Sequence, residues 1–379
     1  MHGTSRVVRV VGPGRTEITE RDLPELDPRD ILAKVEMAGI CGTDVHLVFD
    51  AEPTPGRKTT YPFNLGHEAV CTIAEMGAAA PRRDALGAAL REGDRIVAFG
   101  PRCGECYFCR VLEQSVLCRR VLRGRRDPSV HEIGGTYADY LYIRGDAFIV
   151  RIPDSVSTKA AALVEPLAGA TRAIERAYMP GVPDHHQGLG PGKSVVIQGA
   201  GPIGVLLTIL ARLAGAAKVV VIGAPDSRLK LCQNFGADLT LDFRNTSEAD
   251  RAETIRALTP FGLGPDIVIE AAGAPAAFVE AMSLVRAGGT IVEHGHFTYR
   301  GTIPIDLTPI VLKDLQIFGN LGYYNSGFAT AVTILGSQAN RVPFEALITH
   351  EFPLSRVEEA LETARREECV KAVLVPGMG

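Results

Sequence analysis

Long apolar runs are missing from this 379-residue chain. No stretch approaches the roughly 20 apolar residues that a helix needs to span a bilayer, so no membrane-crossing segment is expected. Met1 to Glu20 holds no apolar h-region ahead of Gly12-Pro13-Gly14, as a secretory signal would require. A cytoplasmic protein is therefore expected. A surplus of charge is missing too: Lys and Arg number 40 against 44 Asp and Glu, for a net charge of −4, and no basic block occurs. That balance argues against a nucleic-acid partner and against an anionic membrane surface. Internal repeats and low-complexity segments are likewise absent.

What is present is the composition of a globular enzyme, 46% hydrophobic and 22% charged. The chain is too long for one ordinary core, so two domains are expected. In a reducing compartment, eight cysteines point to metal ligands, buried thiols or catalytic groups rather than disulfides.

The strongest local pattern is Gly199-Ala-Gly201-Pro202-Ile203-Gly204. It follows the apolar run 194–198 and precedes a segment with apolar residues at helical spacing. Gly199 permits a tight turn, Gly201 lets the backbone approach a pyrophosphate, and Gly204 lets the helix pack against the strand. Such a glycine pattern alone is weak, and its plain alternative is a structural turn. The strand before it and a second apolar run at 218–223 favour dinucleotide binding.

Earlier in the chain, 6–12 and 31–37 read as strands, and short strands with Gly and Pro continue to about residue 150. An irregular, mostly β domain is expected there. Within it, Gly39-Ile-Cys41-Gly-Thr43-Asp44-Val-His46 gathers a thiol, a hydroxyl, a carboxylate and an imidazole. A Pro- and Gly-rich loop then leads to Gly66-His67-Glu68. Cys, His and carboxylate are donors of a zinc site that keeps one position open, although each residue alone would read as core or surface. Cys103, Cys106 and Cys109, with Cys118 further on, match a closed tetrahedral zinc site. A disulfide pair and an iron–sulfur cluster are the alternatives. Cys71, Cys232 and Cys369 sit in apolar surroundings and read as buried thiols.

These segments, with GDRIV at 93–97 and VEPLAGA at 164–170, resemble the zinc-containing medium-chain dehydrogenase/reductase family of alcohol and polyol dehydrogenases over nearly the whole chain. The resemblance implies an α/β fold, in which an irregular, mostly β GroES-like catalytic domain joins a doubly wound parallel-sheet Rossmann domain. It also implies two zinc ions per chain, NAD with NADP as the alternative, a small-molecule alcohol or carbonyl substrate, and a homo-oligomer, dimer or tetramer. By position, Cys41, His67 and Glu165 match the catalytic zinc ligands. Glu68 matches a carboxylate near the metal, and Asp44 the partner that orients the ligating histidine. Thr43 and His46 match a proton relay that runs by way of a cofactor ribose hydroxyl. Cys103, Cys106, Cys109 and Cys118 match the structural zinc ligands. Two departures stand out: the last gap of the cysteine lobe is one residue longer and lacks its usual glycine, and 77–93 reads as a surface excursion.

Domain limits of 1–170, completed by 323–379, and 171–322 are expected. Lys159 to Ala177 reads as a helix kinked at Pro166 that links the two. Strands at 194–198, 218–223, 238–242, 266–270, 289–294 and 315–318, mostly separated by helices, predict a doubly wound sheet. A helix over 356–366 and a closing strand over 370–376 follow. After the second strand, Asp226 is placed to bind the ribose hydroxyls of NAD, whereas Ser227 and Arg228 suit a 2′-phosphate. The reading favours NAD. Lys371 resembles a position near the cofactor pyrophosphate, with a solvated surface lysine as the plain alternative. His185 and His186 read as solvent-facing, and Arg57 and Lys58 of the loop 47–61 as candidates to face an anionic substrate. Glu165 leans towards the polyol, sorbitol or threonine dehydrogenase branch, while the excursion is similar to members linked to phosphonate metabolism. A zinc-free quinone reductase and a non-catalytic zinc module are the rival readings.

Overall fold

The computed structural model describes residues 3–50, 60–100, 103, 105–112, 114–118, 134–178, 188–296 and 299–378. Glu52, Arg57, Lys58, His185 and His186 lie outside the described residues. Two compact units emerge, one of residues 1–168 with 323–379 and one of 169–322.

In the first unit the strands are β1 (Thr4–Gly12), β2 (Arg15–Asp22), β3 (Ile31–Gly39), β4 (Phe63–Asn64), β5 (Glu68–Met76), β6 (Arg95–Phe99), β7 (Tyr140–Ile143) and β8 (Phe148–Arg151). After the second unit's β9 (Ser194–Gln198), β10 (Lys218–Gly223), β11 (Leu239–Asp242), β12 (Ile267–Glu270), β13 (Thr290–Glu293) and β14 (Gln316–Gly319), the chain adds β15 (Ile348–Pro353) and β16 (Lys371–Val375) to the first. A small sheet has the order β2-β1-β4, and a larger one runs β15-β16-β3-β5-β6-β8 with β7 also pairing β3. β3 is central, and eight of its nine residues are shielded on a pattern that leaves only Lys34 exposed. Its antiparallel register sets Gly39 opposite Glu68 of β5 and Val373 of β16. The C-terminal strand, which begins at Lys371, thus returns to the end of β3. Val8, Ile31, Val35, Ile73, Ile96 and Leu374 fill the core beneath. Each such side chain, fully buried, contributes roughly 1.5–3 kcal/mol.

The helices that matter here are α1 (Gly42–Phe49), α2 (Tyr107–Arg110), α3 (Thr158–Ala161), α4 (Val164–Ala177), α5 (Pro202–Leu213) and α6 (Asp226–Asn234). The segment 159–177 is not one kinked helix. The chain breaks between α3 and α4, and Pro166 sits in the first turn of α4. There a missing N–H leaves no intrahelical hydrogen bond unmade and the fixed φ suits the helix, so no kink follows. The excursion 77–93 is anchored rather than loose. Asp84 is buried and accepts from the N–H groups of Leu86, Ala88 and Arg151, while Ala80 and Leu90 join the core and Leu86 stays exposed.

The second unit holds a six-stranded, all-parallel sheet in the order β11-β10-β9-β12-β13-β14. Every residue of β9 is buried, as expected of a parallel strand covered on both faces. The order reverses between β9 and β12, and that switch point is where open α/β sheets bind ligands, beyond the carboxyl ends of the strands. No helix among the described residues is long and apolar enough to cross a membrane.

Candidate active site

In the first unit, α1 begins immediately after Cys41, whose extended backbone makes it the N-cap. Asp44, three residues on, turns back to accept the Cys41 N–H at 3.1 Å. Its other oxygen faces His67 Nδ1 at 3.2 Å, which leaves Nε2 of that ring as the outward donor. The Tyr137 hydroxyl donates to Asp44 at 2.8 Å. Burial opposes ionisation of Asp44, but the imidazole, the phenol and the N–H outweigh it and lower its pKa. Burial, with the Asp44 and Glu68 carboxylates, holds Tyr137 well above its ordinary pKa, so it stays a donor.

The thiol of Cys41, the His67 ring and a Glu68 oxygen lie within 4.8 Å of one another. Glu165, in the first turn of α4, places an oxygen 3.6 Å from His67 Nε2. Burial first, and Glu68 next, push the Glu165 pKa up against the pull of His67 and Tyr323. Donors around a tetrahedral zinc with bonds of about 2.0–2.3 Å lie about 3.3–3.8 Å apart, and this soft-and-hard donor set is a zinc set. Cys41, His67 and Glu68 fit the ion, and Glu165 stands beside them against His67.

Glu68 has a partner that the motif does not disclose. Lys371, 3% exposed, reaches its Oε2 at 2.5 Å and donates to the Ile40 carbonyl at 2.9 Å. That excludes a solvated surface lysine. Gly39 makes room, because a Cβ there would run into the Glu68 carboxylate. Burial works against the Lys371 charge, yet Glu68, Cys41 and Glu165 raise its pKa. On α1, Thr43 and His46 are one turn apart, the spacing at which side chains share a helix face. His46 Nδ1 pairs with Asp50 at 2.7 Å, a partner missed in the sequence because it lies at the helix end.

The four cysteines of the lobe, three of them on or beside α2, bring their sulfurs within 4.8 Å of one another. Cys103–Cys109 and Cys106–Cys118 are 3.7 Å apart, too far for disulfides. Zinc–sulfur bonds of about 2.3 Å span tetrahedral edges of about 3.8 Å, so this set could hold one ion despite its longer last gap. The N–H groups of Glu105 and Cys106 lower the Cys103 thiol to about 6.

In the second unit, Gly199 has φ +114°, and a Cβ on it would lie 2.9 Å from the Ala271 backbone. A Cβ on Gly204 would strike the Gly199 carbonyl, whereas one on Gly201 would meet nothing within 4 Å. Gly201 is also the N-cap of α5, with Pro202 at its first position and Ile203 beside it, and offers no side chain to the first-turn N–H groups. An open cradle of free donors suits a pyrophosphate. Asp226 opens α6 and is exposed, paired with Lys230 at 3.0 Å; Arg228 is half-buried two positions on. Beyond the ends of β12 and β13 lies a cluster the sequence reading missed. Glu270, fully buried, accepts from the N–H groups of Ala272, Gly273 and Gly295, and His296 Nδ1 meets Glu293 at 2.8 Å. Burial, then the neighbouring Glu293, push the Glu270 carboxyl up to about 8.

Residues 27–154 match the alcohol dehydrogenase GroES-like domain family, and 202–337 the zinc-binding dehydrogenase family. Sorbitol dehydrogenase of Gallus gallus is 30% identical over 98% of this chain and 96% of its own. The chain belongs to the zinc-containing medium-chain alcohol and polyol dehydrogenase family. Among solved structures, an alcohol dehydrogenase from Thermotoga maritima has a TM-score of 0.85 at 30% identity, covering 98% of this chain and 99% of its own. A zinc-binding dehydrogenase from Sinorhizobium meliloti, described as putative and bound to NADP, has a TM-score of 0.82 at 27% identity, covering 99% and 100%. As a member of this dehydrogenase family, the protein is a zinc- and NAD(P)-dependent oxidoreductase that interconverts alcohols and carbonyl compounds. Its α/β fold is the expected pairing of a GroES-like unit with a Rossmann unit. Neither the zinc-free quinone reductase nor the non-catalytic module accords with these matches.

Proposed function

We propose that the protein oxidises a polyol or polyol-like secondary alcohol reversibly to a ketone or aldehyde, with NAD as hydride acceptor. Cys41, His67 and Glu165 hold the catalytic zinc, and Cys103, Cys106, Cys109 and Cys118 the structural one. The observation that carries the reading is the carboxylate of Glu165 facing His67 Nε2 at 3.6 Å, on a histidine already oriented by Asp44. When bound, zinc supplies Lewis acidity that makes an alcohol acidic near neutral pH, and nicotinamide accepts the hydride.

The chain's own groups do the rest. Asp44 fixes the His67 tautomer so that Nε2 points to the metal position. The Thr43 hydroxyl would relay the substrate proton, accepting it while giving up its own in the direction of His46, which, braced by Asp50, would release a proton to solvent. Lys371 holds Glu68 turned to its own ammonium, where it neighbours the metal position without being required as a ligand. Gly201 and the first turn of α5 seat the pyrophosphate, and Asp226 takes the ribose hydroxyls. A second reading, NADP, draws on Ser227 and Arg228 and on the NADP bound to the Sinorhizobium protein.

Copies of the chain associate through the second unit, in our reading. β14 is an edge strand, and nearby Leu307, Val311 and Leu312 are 65%, 80% and 79% exposed, an apolar surface that a partner copy would cover. Light scattering tests this. A cytoplasmic location accords with eight cysteines of which none is paired in a disulfide.

The test of substrate and cofactor is the appearance of reduced nicotinamide with NAD or NADP across primary alcohols, secondary alcohols, sugar polyols, β-hydroxy amino acids and hydroxyalkyl phosphonates. Turnover of polyols with NAD is expected. Turnover confined to another class, or to NADP, would replace the corresponding part of this reading.

A further inference from the structure

We propose that Tyr137 is a positioning residue for the catalytic zinc site, acting through Asp44 on His67. The inference rests on the reading that Cys41 and His67 hold that zinc. Thr136 and Tyr137, just before β7, grip the segment 65–68 from behind. The Tyr137 N–H donates to the Leu65 carbonyl at 3.2 Å and the Thr136 N–H to that of Gly66 at 3.3 Å. The Thr136 hydroxyl reaches the Glu68 carbonyl at 3.4 Å, and from the far side the Val8 N–H holds the Tyr137 carbonyl at 2.9 Å.

Against this fixed backbone the tyrosine ring, 0% exposed, occupies the space over Gly66, where a Cβ would lie 2.5 Å from it. Gly66 has φ +92° and directly precedes His67, so the ring and the histidine backbone are fitted to each other. The hydroxyl lies 2.8 Å from Asp44 Oδ2 and 3.2 Å from the Gly39 carbonyl. Asp44 spends its remaining capacity on the Cys41 N–H and on His67 Nδ1, at 3.1 and 3.2 Å. One buried carboxylate therefore ties Cys41 and His67 together, and Tyr137 fixes its angle. Without the phenol, Asp44 loses a hydrogen bond where water cannot replace it and is free to turn away from His67.

Tyr137→Phe keeps the ring over Gly66 and removes only the hydroxyl. Wild type, Tyr137→Phe, Asp44→Asn and the double variant are compared by zinc release to a chelator and by the visible spectrum of the cobalt(II)-substituted protein. In Tyr137→Phe the catalytic ion should be lost about tenfold more readily, the lower end of what outer partners of metal ligands govern. The cobalt spectrum should change while the structural ion stays in place. Asp44→Asn should do the same, and the double variant should lose little more, because the two residues act in series. Zinc release and a spectrum identical to wild type in Tyr137→Phe would overturn the proposal, as would strictly additive losses. Loss of both ions with cooperative unfolding would make Tyr137 a packing residue and overturn it too. If Cys41→Ser keeps both ions, the zinc reading itself fails, and the comparison of wild type with Cys41→Ser separates that failure from this one.

Discussion

Cys41, Asp44 and His67 illustrate what a residue's neighbours along the chain can and cannot disclose. The pairing of Asp44 with Cys41 is a capping contact three positions long, and the motif displays it. The Tyr137 hydroxyl reaches Asp44 across 93 positions, and no local pattern carries that information. Lys371 is similar: the family resemblance suggested a position near the cofactor pyrophosphate, while the antiparallel pairing of β3 with β16 on one side and β5 on the other sets it on Glu68. Lys371→Met should strand Glu68 as a buried unpaired carboxylate and destabilise the first unit by about 3–5 kcal/mol. Urea unfolding followed by circular dichroism measures this; a loss under about 1 kcal/mol would place the Glu68 charge in a wetter setting than its 1% exposure indicates.

Elements were more legible than contacts. Strands of the second unit are short apolar runs broken by glycine, so their type follows from period and punctuation. The segment 159–177 was harder, because helical spacing continues through a break that leaves Pro166 in the first turn of α4, where its ring meets no carbonyl of a preceding turn. Two glycines of one turn separate fold from ligand. Gly204→Ala should destabilise the Rossmann unit, since its Cβ meets the Gly199 carbonyl with nowhere to move. Gly201→Val should fold normally, because its side chain enters open space, but weaken NAD binding at least tenfold by calorimetry. Normal NAD affinity in Gly201→Val would remove the pyrophosphate from that cradle.

The ends of β12 and β13 make a pH-dependent prediction. Glu270 in the folded chain titrates near 8, above the roughly 4.3 of a free glutamate. A raised carboxyl stabilises the fold in its neutral form. That contribution is complete below the unfolded pKa and is lost as the pH rises towards about 8. Glu270→Gln should flatten the fall in stability of the second unit between pH 5 and 8, a slope bounded by about 1.4 kcal/mol per pH unit for one proton. An unchanged slope would assign the fall to other groups.

For the whole molecule, length and composition called for two cores, and the contacts divide the described chain so, with the C-terminal segment returning to the first unit. The four-cysteine lobe and the clustered Cys41, His67 and Glu68 were readable because zinc constrains residue types and spacing, whereas Glu165 came only with the family resemblance. Two of their supports were not, since Tyr137 and Lys371 join them only through tertiary packing, whereas the pairing of His46 with Asp50 is a local i,i+4 contact. The most direct measurement is zinc content beside dehydrogenase activity in wild type and Cys41→Ser. Two ions per chain and NAD-dependent polyol oxidation in wild type, falling to one ion and no activity in Cys41→Ser, are expected. Retention of both ions and of activity in Cys41→Ser would contradict the assignment.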